Sequence, residues 1–338
     1  MQLSILVISR TPSLLSAMLA SLQQACSLPS REVEVLCSWN GSQADEAAIS
    51  NRSGYELLIA QRVPYHFAAN MNGLADKATG THLLLINDDV VLDPGSLDAA
   101  LHCLQQHGQA GIVGARLRHG DGSLAHAGIL FDSRNSPYHA LEGLIPADSS
   151  WAMDSDRPVP AVTGAVMLLL RSTFQQLRFQ ESYNQCGEDV ELCLDLRQQL
   201  NLQVWLCAQA SGLHESESTR KQQERRDDVS ADLARMRARY RRFLDNASAQ
   251  QLQIDLASSQ REAEALRELH QVSDLKTELS EAQQRTTALQ LNRLRLEQEV
   301  EQLRAEQRQQ RSTSQELESL RRELERLSHS WIPPRLRR

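Results

Sequence analysis

No Cys-x-x-Cys pair occurs among the six cysteines of this chain, Cys26, Cys37, Cys103, Cys186, Cys193 and Cys207, and several of them lie in apolar runs. Their scatter speaks against a ribbon-type zinc site or a disulfide framework, and reads as buried free thiols in a reducing compartment. The N-terminal MQLSILVISR has no basic region before its short apolar stretch and no small-residue cleavage site after it, so it reads as a first strand and not a signal peptide. No apolar run approaches the length that crosses a bilayer. An excess of positive charge is also missing: the net charge is -7 and the pI about 5.8, which argues against nucleic acid as a partner despite arginine runs near the C-terminus. The expected setting is cytoplasmic, peripheral at the inner face of a membrane through a partner. From Asp245 to Ser330 there is not one glycine or proline.

That last absence divides the 338 residues. Up to about Tyr240 the chain is rich in Val, Ile, Leu, Gly and Pro, and its 41% apolar content supplies a sizeable core. Beyond Asp245 it is dominated by Gln, Glu, Arg, Leu, Ala and Ser. We therefore expect a globular domain over 1–243, a helical segment over 244–330, and a basic Pro/Arg tail over 331–338.

Within the first part, strand-like runs SILVIS, EVEVLCSW, ELLIA, HLLLIN and AGIVGA alternate with helix-like stretches at Pro12–Ala25 and Phe67–Ala78. The alternation predicts an α/β domain with a largely parallel sheet, whose strand C-terminal ends form a ligand-binding edge. RLRHGDGSLAHAGILFD reads as a hairpin turning at Gly120-Asp121-Gly122, AVTGAVMLLLR as a further buried strand, and a helix is expected from Glu188, followed by the strand LQVWLC and a loop ending in His214.

From Val272 a heptad runs through Leu275, Leu279, Ala282, Leu289, Leu296, Val300, Leu303, Leu317 and Leu324, with ten of sixteen a and d positions apolar and polar layers at Gln307, Gln310 and Ser314. This predicts a coiled coil or a long helix docked on a partner, since an isolated solvated helix of this kind is marginal.

Three polar sets interrupt apolar stretches: Asn87-Asp88-Asp89 after LLLI, Glu188-Asp189, and His214. Two adjacent carboxylates at a strand end suit a hard divalent cation, which takes oxygen ligands and cancels their repulsion. Taken singly, each set also has an ordinary explanation. A solvated loop start would place Asp88 and Asp89 there; Glu188 and Asp189 would favour a helix dipole; and a lone histidine is more often a packing residue than a ligand.

In order and spacing, however, LLLINDDVVLDPGSL, DGSLAHAG, VTGAVMLLLRSTF, GEDVELCLDLR and GLHESES resemble the motifs of the family-2 glycosyltransferases over about Leu3 to Ser218. The resemblance implies a GT-A fold, a Rossmann-like α/β nucleotide-diphospho-sugar transferase domain with a mostly parallel central sheet, here followed by a long α-helical coiled coil. It implies transfer of a sugar, with inversion, from a nucleotide-sugar donor to an acceptor hydroxyl, the acceptor being a glycan or lipid-linked glycan. By the same resemblance Asp189, with Glu188 beside it, is the catalytic base. Mg²⁺ or Mn²⁺ is held by Asp89, with Asp88 and His214 as further ligands, and stabilises the departing diphosphate. Ser9, Arg10, Asn40, Asn70 and Asp88 fall on the donor side.

Two positions depart from the family pattern. Asn87 stands first in the D-x-D region, leaving Asp89 as the principal metal ligand. In SWNGS, Trp39 stands where relatives place an acid near the base or ribose, and either stacks on the base or leaves the nucleotide to be held differently. The element YHFAANMN brings Asn70 near the donor or else only caps and packs a helix. The terminal LSHSWIPPRLRR resembles a segment found between domains of bacterial polysaccharide glycosyltransferases, its Arg335, Arg337 and Arg338 being either lipid-contacting or a solvated basic end. That setting makes the coiled coil a site of self-association or of docking on a partner glycosyltransferase. Two other classes remain in view. One is a scaffold whose domain binds a sugar nucleotide without turnover. The other is nucleotidyl transfer, disfavoured because no Gly-rich, Lys-containing phosphate loop follows the first strand.

Overall fold

The computed structural model describes residues 1–214 and 226–330, so the end of GLHESES and the basic tail lie outside the described residues. The strands are β1 (Leu3–Ser9), β2 (Val33–Trp39), β3 (Glu56–Gln61), β4 (His82–Asn87), β5 (Val90–Leu92), β6 (Ala110–Arg118), β7 (Leu124–His126), β8 (Ile129–Phe131), β9 (Pro137–His139), β10 (Arg157–Val159), β11 (Val166–Leu170) and β12 (Gln203–His214). The helices are α1 (Pro12–Ala25), α2 (Gln43–Glu46), α3 (Phe67–Lys77), α4 (Ser96–Gln106), α5 (Ser150–Met153), α6 (Arg171–Leu177), α7 (Glu188–Gln199), α8 (Arg226–Asn246) and α9 (Ala249–Ser330).

The central sheet runs β10-β12-β6-β11-β4-β1-β2-β3. Its β4-β1-β2-β3 half is wholly parallel, and β6 and β12 are parallel to each other. Between these blocks β11 lies antiparallel to both β4 and β6, which makes the sheet mixed. The LLLI of β4 is fully buried, with strands flanking it in the plane and both faces covered, so it shows no polar alternation. Pro12 opens α1 at a position whose N–H would be unpaired anyway, and Leu15, Met18, Leu19 and Leu22 face inward at helical spacing.

β12 is longer than the strand read from LQVWLC. It runs on through residues expected to be loop and ends at His214, because Gly212, Leu213 and His214 pair with Leu92, Val91 and Val90 of β5. The apolar VVL after the acidic pair therefore acts as a pairing partner for β12.

One compact unit extends from Met1 to Ala265, past the expected boundary at 243, and a second, helical unit begins at Leu266. The first turns of α9 belong to the globular unit for a definite reason. Arg197 of α7 is fully buried, and it donates to Pro160 O (3.1 Å), Gln251 O (2.8 Å) and Asp255 Oδ1 (2.5 Å) while lying over the Phe243 ring. A buried guanidinium needs these acceptors, and α9 supplies two of them. Asp255→Ala should accordingly lower stability by about 3 kcal/mol or more by stranding that charge, read as a fall of several degrees in Tm. From Leu266 on, the heptad residues Val272, Leu275, Leu279, Leu289, Leu296 and Leu303 are exposed. No described helix is long and apolar enough to cross a membrane.

Candidate active site

The C-terminal ends of β1, β2 and β4 deliver Ser9, Asn40 and the Asn87-Asp88-Asp89 run to one edge of the sheet, and they line a cavity of about 390 Å³. Arg10 lines it too. Asn40 is tied to β1 through its backbone N–H to Ser9 O (2.8 Å), and its side-chain Nδ2 donates to Val63 O. Its Oδ1 is buried without a hydrogen-bond partner, and the residue lines the cavity.

Asp88 and Asp89 are held differently. Asp88 is buried, and the Ser9 hydroxyl donates to its Oδ2 (2.6 Å). Burial, reinforced by the neighbouring Asp89 charge and opposed by the Ser9 hydrogen bond and by Arg10, raises the Asp88 carboxyl to about 6. Asp89 Oδ1 is buried with no hydrogen-bond donor, and His214 Nε2 stands 3.4 Å from it. The β5–β12 pairing produces this juxtaposition by setting His214 opposite Val90. Asp89 and His214 stand as a pair here, with one carboxylate oxygen buried and unsatisfied; the ligand atoms of Asp88, Asp89 and His214 do not all lie within 4.8 Å of one another, so the donors at hand for a divalent cation are Asp89 and His214, with Asp88 next to them.

On the opposite wall, Gly187 takes φ 110° and lets the chain turn sharply into α7. Asp189, in the first turn, accepts from Gly164 N–H at Oδ2 (2.8 Å) and from Val190 N–H at Oδ1 (2.8 Å). These bonds fix its carboxylate at the cavity, where Glu188 is also found. The preceding loop is gripped from α8: Asp232 Oδ2 accepts the N–H groups of Asn184 (3.0 Å), Gln185 (2.7 Å) and Cys186 (3.3 Å). Arg239 of the same helix reaches Asp195 (2.7 Å) and Glu191 (3.5 Å) on α7. Asp232→Ala should therefore leave the fold intact but free the loop of residues 184–186, read as faster amide hydrogen exchange at Asn184, Gln185 and Cys186 than in the parent chain.

The third wall comes from the DGSLAHAG hairpin and the segment after it. Burial drives the His126 ring well below its ordinary pKa, so it stays neutral. Thr163 N–H donates to its Nε2 (3.4 Å), and its Nδ1 lies 3.2 Å from His139 Nδ1, which is also 3.1 Å from Ala125 O. His139, Tyr138 and Glu142 line the cavity. Glu262 of α9 holds this wall by accepting from Tyr138 Oη (2.5 Å) and Leu141 N–H (3.2 Å).

Eight of the residues expected at the site thus meet around one cavity: Ser9, Arg10, Asn40, Asp88, Asp89, Glu188, Asp189 and His214. Two do not. Trp39 is buried in the core, and its Nε1–H donates to Ser42 O (3.0 Å), so it offers no face for stacking on a base. Asn70 is also buried and lies 3.1 Å from Ser38 Oγ, supporting the sheet edge from below. Asp232 and Glu262 escaped the sequence reading because both sit in helices that resemble a solvated spacer. An acidic residue there carries no local mark of a distant loop's N–H groups.

The similarities of the chain agree with this arrangement. The profile of the glycosyltransferase-like family 2 matches residues 2–240. The chain is 31% identical over 221 residues to the O-antigen biosynthesis protein RfbC of Myxococcus xanthus, covering 62% of this chain and 17% of that one. It is 30% identical over 200 residues to the N-acetylglucosaminyl-diphospho-decaprenol L-rhamnosyltransferase of Mycobacterium tuberculosis, covering 53% of this chain and 64% of the relative. It thus spans less than two thirds of either relative. The mannosyltransferase PcManGT from Pyrobaculum calidifontis, solved with GDP-Man and Mn²⁺, superposes with a TM-score of 0.50 at 12% identity, covering 71% of this chain and 64% of that one, which shows a shared fold. With the GT-A architecture and a profile match spanning most of its length, the chain belongs to the family-2 glycosyltransferases.

Proposed function

We propose that the chain is an inverting, metal-dependent glycosyltransferase that moves a sugar from a nucleoside-diphosphate donor to an acceptor hydroxyl in bacterial surface-polysaccharide or glycoconjugate assembly. One observation carries the reading. Asp89, its buried oxygen unsatisfied beside His214, shares a cavity with Asp189, whose carboxylate two backbone N–H groups hold in place.

Each wall has a task. Asn40 Oδ1 accepts an N–H or O–H of the nucleoside, and the Arg10 guanidinium faces the diphosphate. Asp89, Asp88 and His214 are suited to hold Mg²⁺ or Mn²⁺, which when bound offsets the charge growing on the leaving diphosphate. Asp189 takes the proton of the acceptor hydroxyl as the oxygen attacks the anomeric carbon from the face opposite the diphosphate. Such a direct displacement inverts that carbon. Tyr138, His139 and Glu142 contact the acceptor. The RfbC and rhamnosyltransferase relatives support an acceptor that is a glycan or a lipid-linked glycan, reached from the cytoplasmic membrane face. The exposed leucine stripe beyond Leu266 fits self-association or docking on a partner glycosyltransferase. The scaffold alternative drew its best support from Trp39 standing in the place of an acid, and the burial of that ring gives the residue a packing role.

The test is a thermal-shift screen of nucleoside-diphosphate donors of N-acetylglucosamine, mannose and rhamnose with Mn²⁺ present, followed by transfer assays on the hits. A donor at 100 times its Kd stabilises the fold by about 2.7 kcal/mol. If no donor shifts Tm and none is consumed, the reading fails.

A further inference from the structure

A second cluster of ligating side chains lies away from the cavity. Cys103 on α4 and His107 at the end of that helix stand four residues apart, hence on one face. Cys103, His107 and Asp156 bring one ligand atom each to within 4.8 Å of one another. A fourth group stands next to them: the Cys207 thiol neighbours that of Cys103, although it lies outside the set of three whose ligand atoms all fall within 4.8 Å of one another. Both thiols are about 1% exposed, whereas His107 and Asp156 are half-exposed and give a route in from solvent.

Tertiary structure assembles this set. The pairing of β6 with β12 slips between Cys207 and Ser211, so Ala208, Gln209 and Ala210 bulge out of the ladder. Asp156 precedes β10, whose Arg157 pairs with Leu206, and its Oδ1 accepts the Ala208 N–H (2.8 Å) at the bulge. The His107 ring stacks on Trp205 at 3.7 Å, which fixes its plane and leaves its nitrogens at the ring edge.

We propose that Cys103, His107, Asp156 and Cys207 form a structural site for a soft divalent cation, Zn²⁺ before all others. Two sulfurs, one imidazole nitrogen and one carboxylate oxygen are the donors of a tetrahedral structural zinc site, the Cys207 thiol closing on the preformed three-ligand set when the ion binds. Binding converts the two thiols to thiolates and releases two protons, and the ion takes four protein bonds with no open position for substrate. It pins the C-terminal end of α4, the lead-in to β10 and the bulge of β12 together. β12 is the strand that ends at His214, so the ion steadies the base of the cavity wall. Cysteine spacing gave no hint of this, because the two thiols are 104 positions apart.

The experiment uses the full chain carrying Asp89→Ala and His214→Ala, so that metal at the cavity does not contribute. The expected results are about one Zn²⁺ per chain by elemental analysis after dialysis, and a thiolate-to-metal charge-transfer band on Co²⁺ loading. Zn²⁺ should protect Cys103 and Cys207, and not Cys186, from alkylation read by peptide mass spectrometry. Adding Cys207→Ser or His107→Ala should weaken Zn²⁺ binding at least tenfold. The proposal is overturned if the reduced parent chain takes up no Zn²⁺, if Co²⁺ binds without the charge-transfer band, or if Zn²⁺ leaves the alkylation of Cys103 and Cys207 unchanged. None of these readings uses sugar transfer, so they stand apart from the assignment of the cavity.

Discussion

Asp189→Asn should lower the transfer rate by about 10³-fold, within the range that a positioned general base contributes, while donor affinity stays within about threefold of the parent. Uniform loss of binding would raise KM; loss of the base lowers kcat, because proton removal is needed as the acceptor oxygen attacks. The geometry makes the substitution informative. Asp189 accepts two backbone N–H groups, from Gly164 and Val190, and an asparagine satisfies only one of them. The unpaired donor costs about 1–3 kcal/mol locally, so Tm must be followed alongside kinetics. Asp189→Glu keeps the charge but moves it by one methylene, and should recover only part of the rate. A folded Asp189→Asn enzyme turning over at the parent rate would remove Asp189 from the mechanism.

Asp89→Ala carries the second large effect. In the parent chain Mn²⁺ should tighten nucleoside-diphosphate binding by tenfold or more, and in Asp89→Ala most of that gain should vanish. Titration of the diphosphate with and without Mn²⁺, by calorimetry, gives the comparison. Equal affinities in the parent with and without metal would end the metal assignment. Asp88→Asn separates the roles of the two neighbours. Since burial raises the Asp88 carboxyl from its ordinary 3.8 to about 6, its ionised form costs the metal-free fold on the order of 2–3 kcal/mol at neutral pH. The sign follows from the raised value. The contribution of Asp88 to stability is fully present below about pH 4 and is lost as pH rises through about 6. Metal-free Asp88→Asn should thus melt higher than the parent at pH 7.5 and no higher at pH 4, while its gain in Tm from Mn²⁺ shrinks.

Much of this architecture was legible because burial on both faces leaves a plain trace. LLLI of β4, the runs of β1 and β2, and the helical spacing of α1 stand out since strands and helices at those positions admit almost no polar residue. The acidic sets were legible as interruptions of such runs, and the family resemblance ordered them. For Trp39 the sequence left two readings open, because a tryptophan beside a ligand edge looks the same whether its ring faces out or in. Only the packing of the indole against the core, with its N–H on Ser42 O, decides between them. Composition changes at the expected boundary of 243, whereas the compact unit runs on to Ala265, because a buried arginine on α7 draws the first turns of α9 into it.

The sequence by itself determined the α/β framework, the acidic pair at a strand end, the acidic start of α7 and the heptad of the C-terminal helix, since each is a local pattern of polarity. Only the tertiary structure decided that β5 pairs with β12 and so sets His214 beside Asp89, that Asp232 holds the loop before Asp189, and that Cys103 meets Cys207. These are contacts between residues 46 to 125 positions apart, fixed by strand register and helix packing, and no periodicity along the chain encodes them.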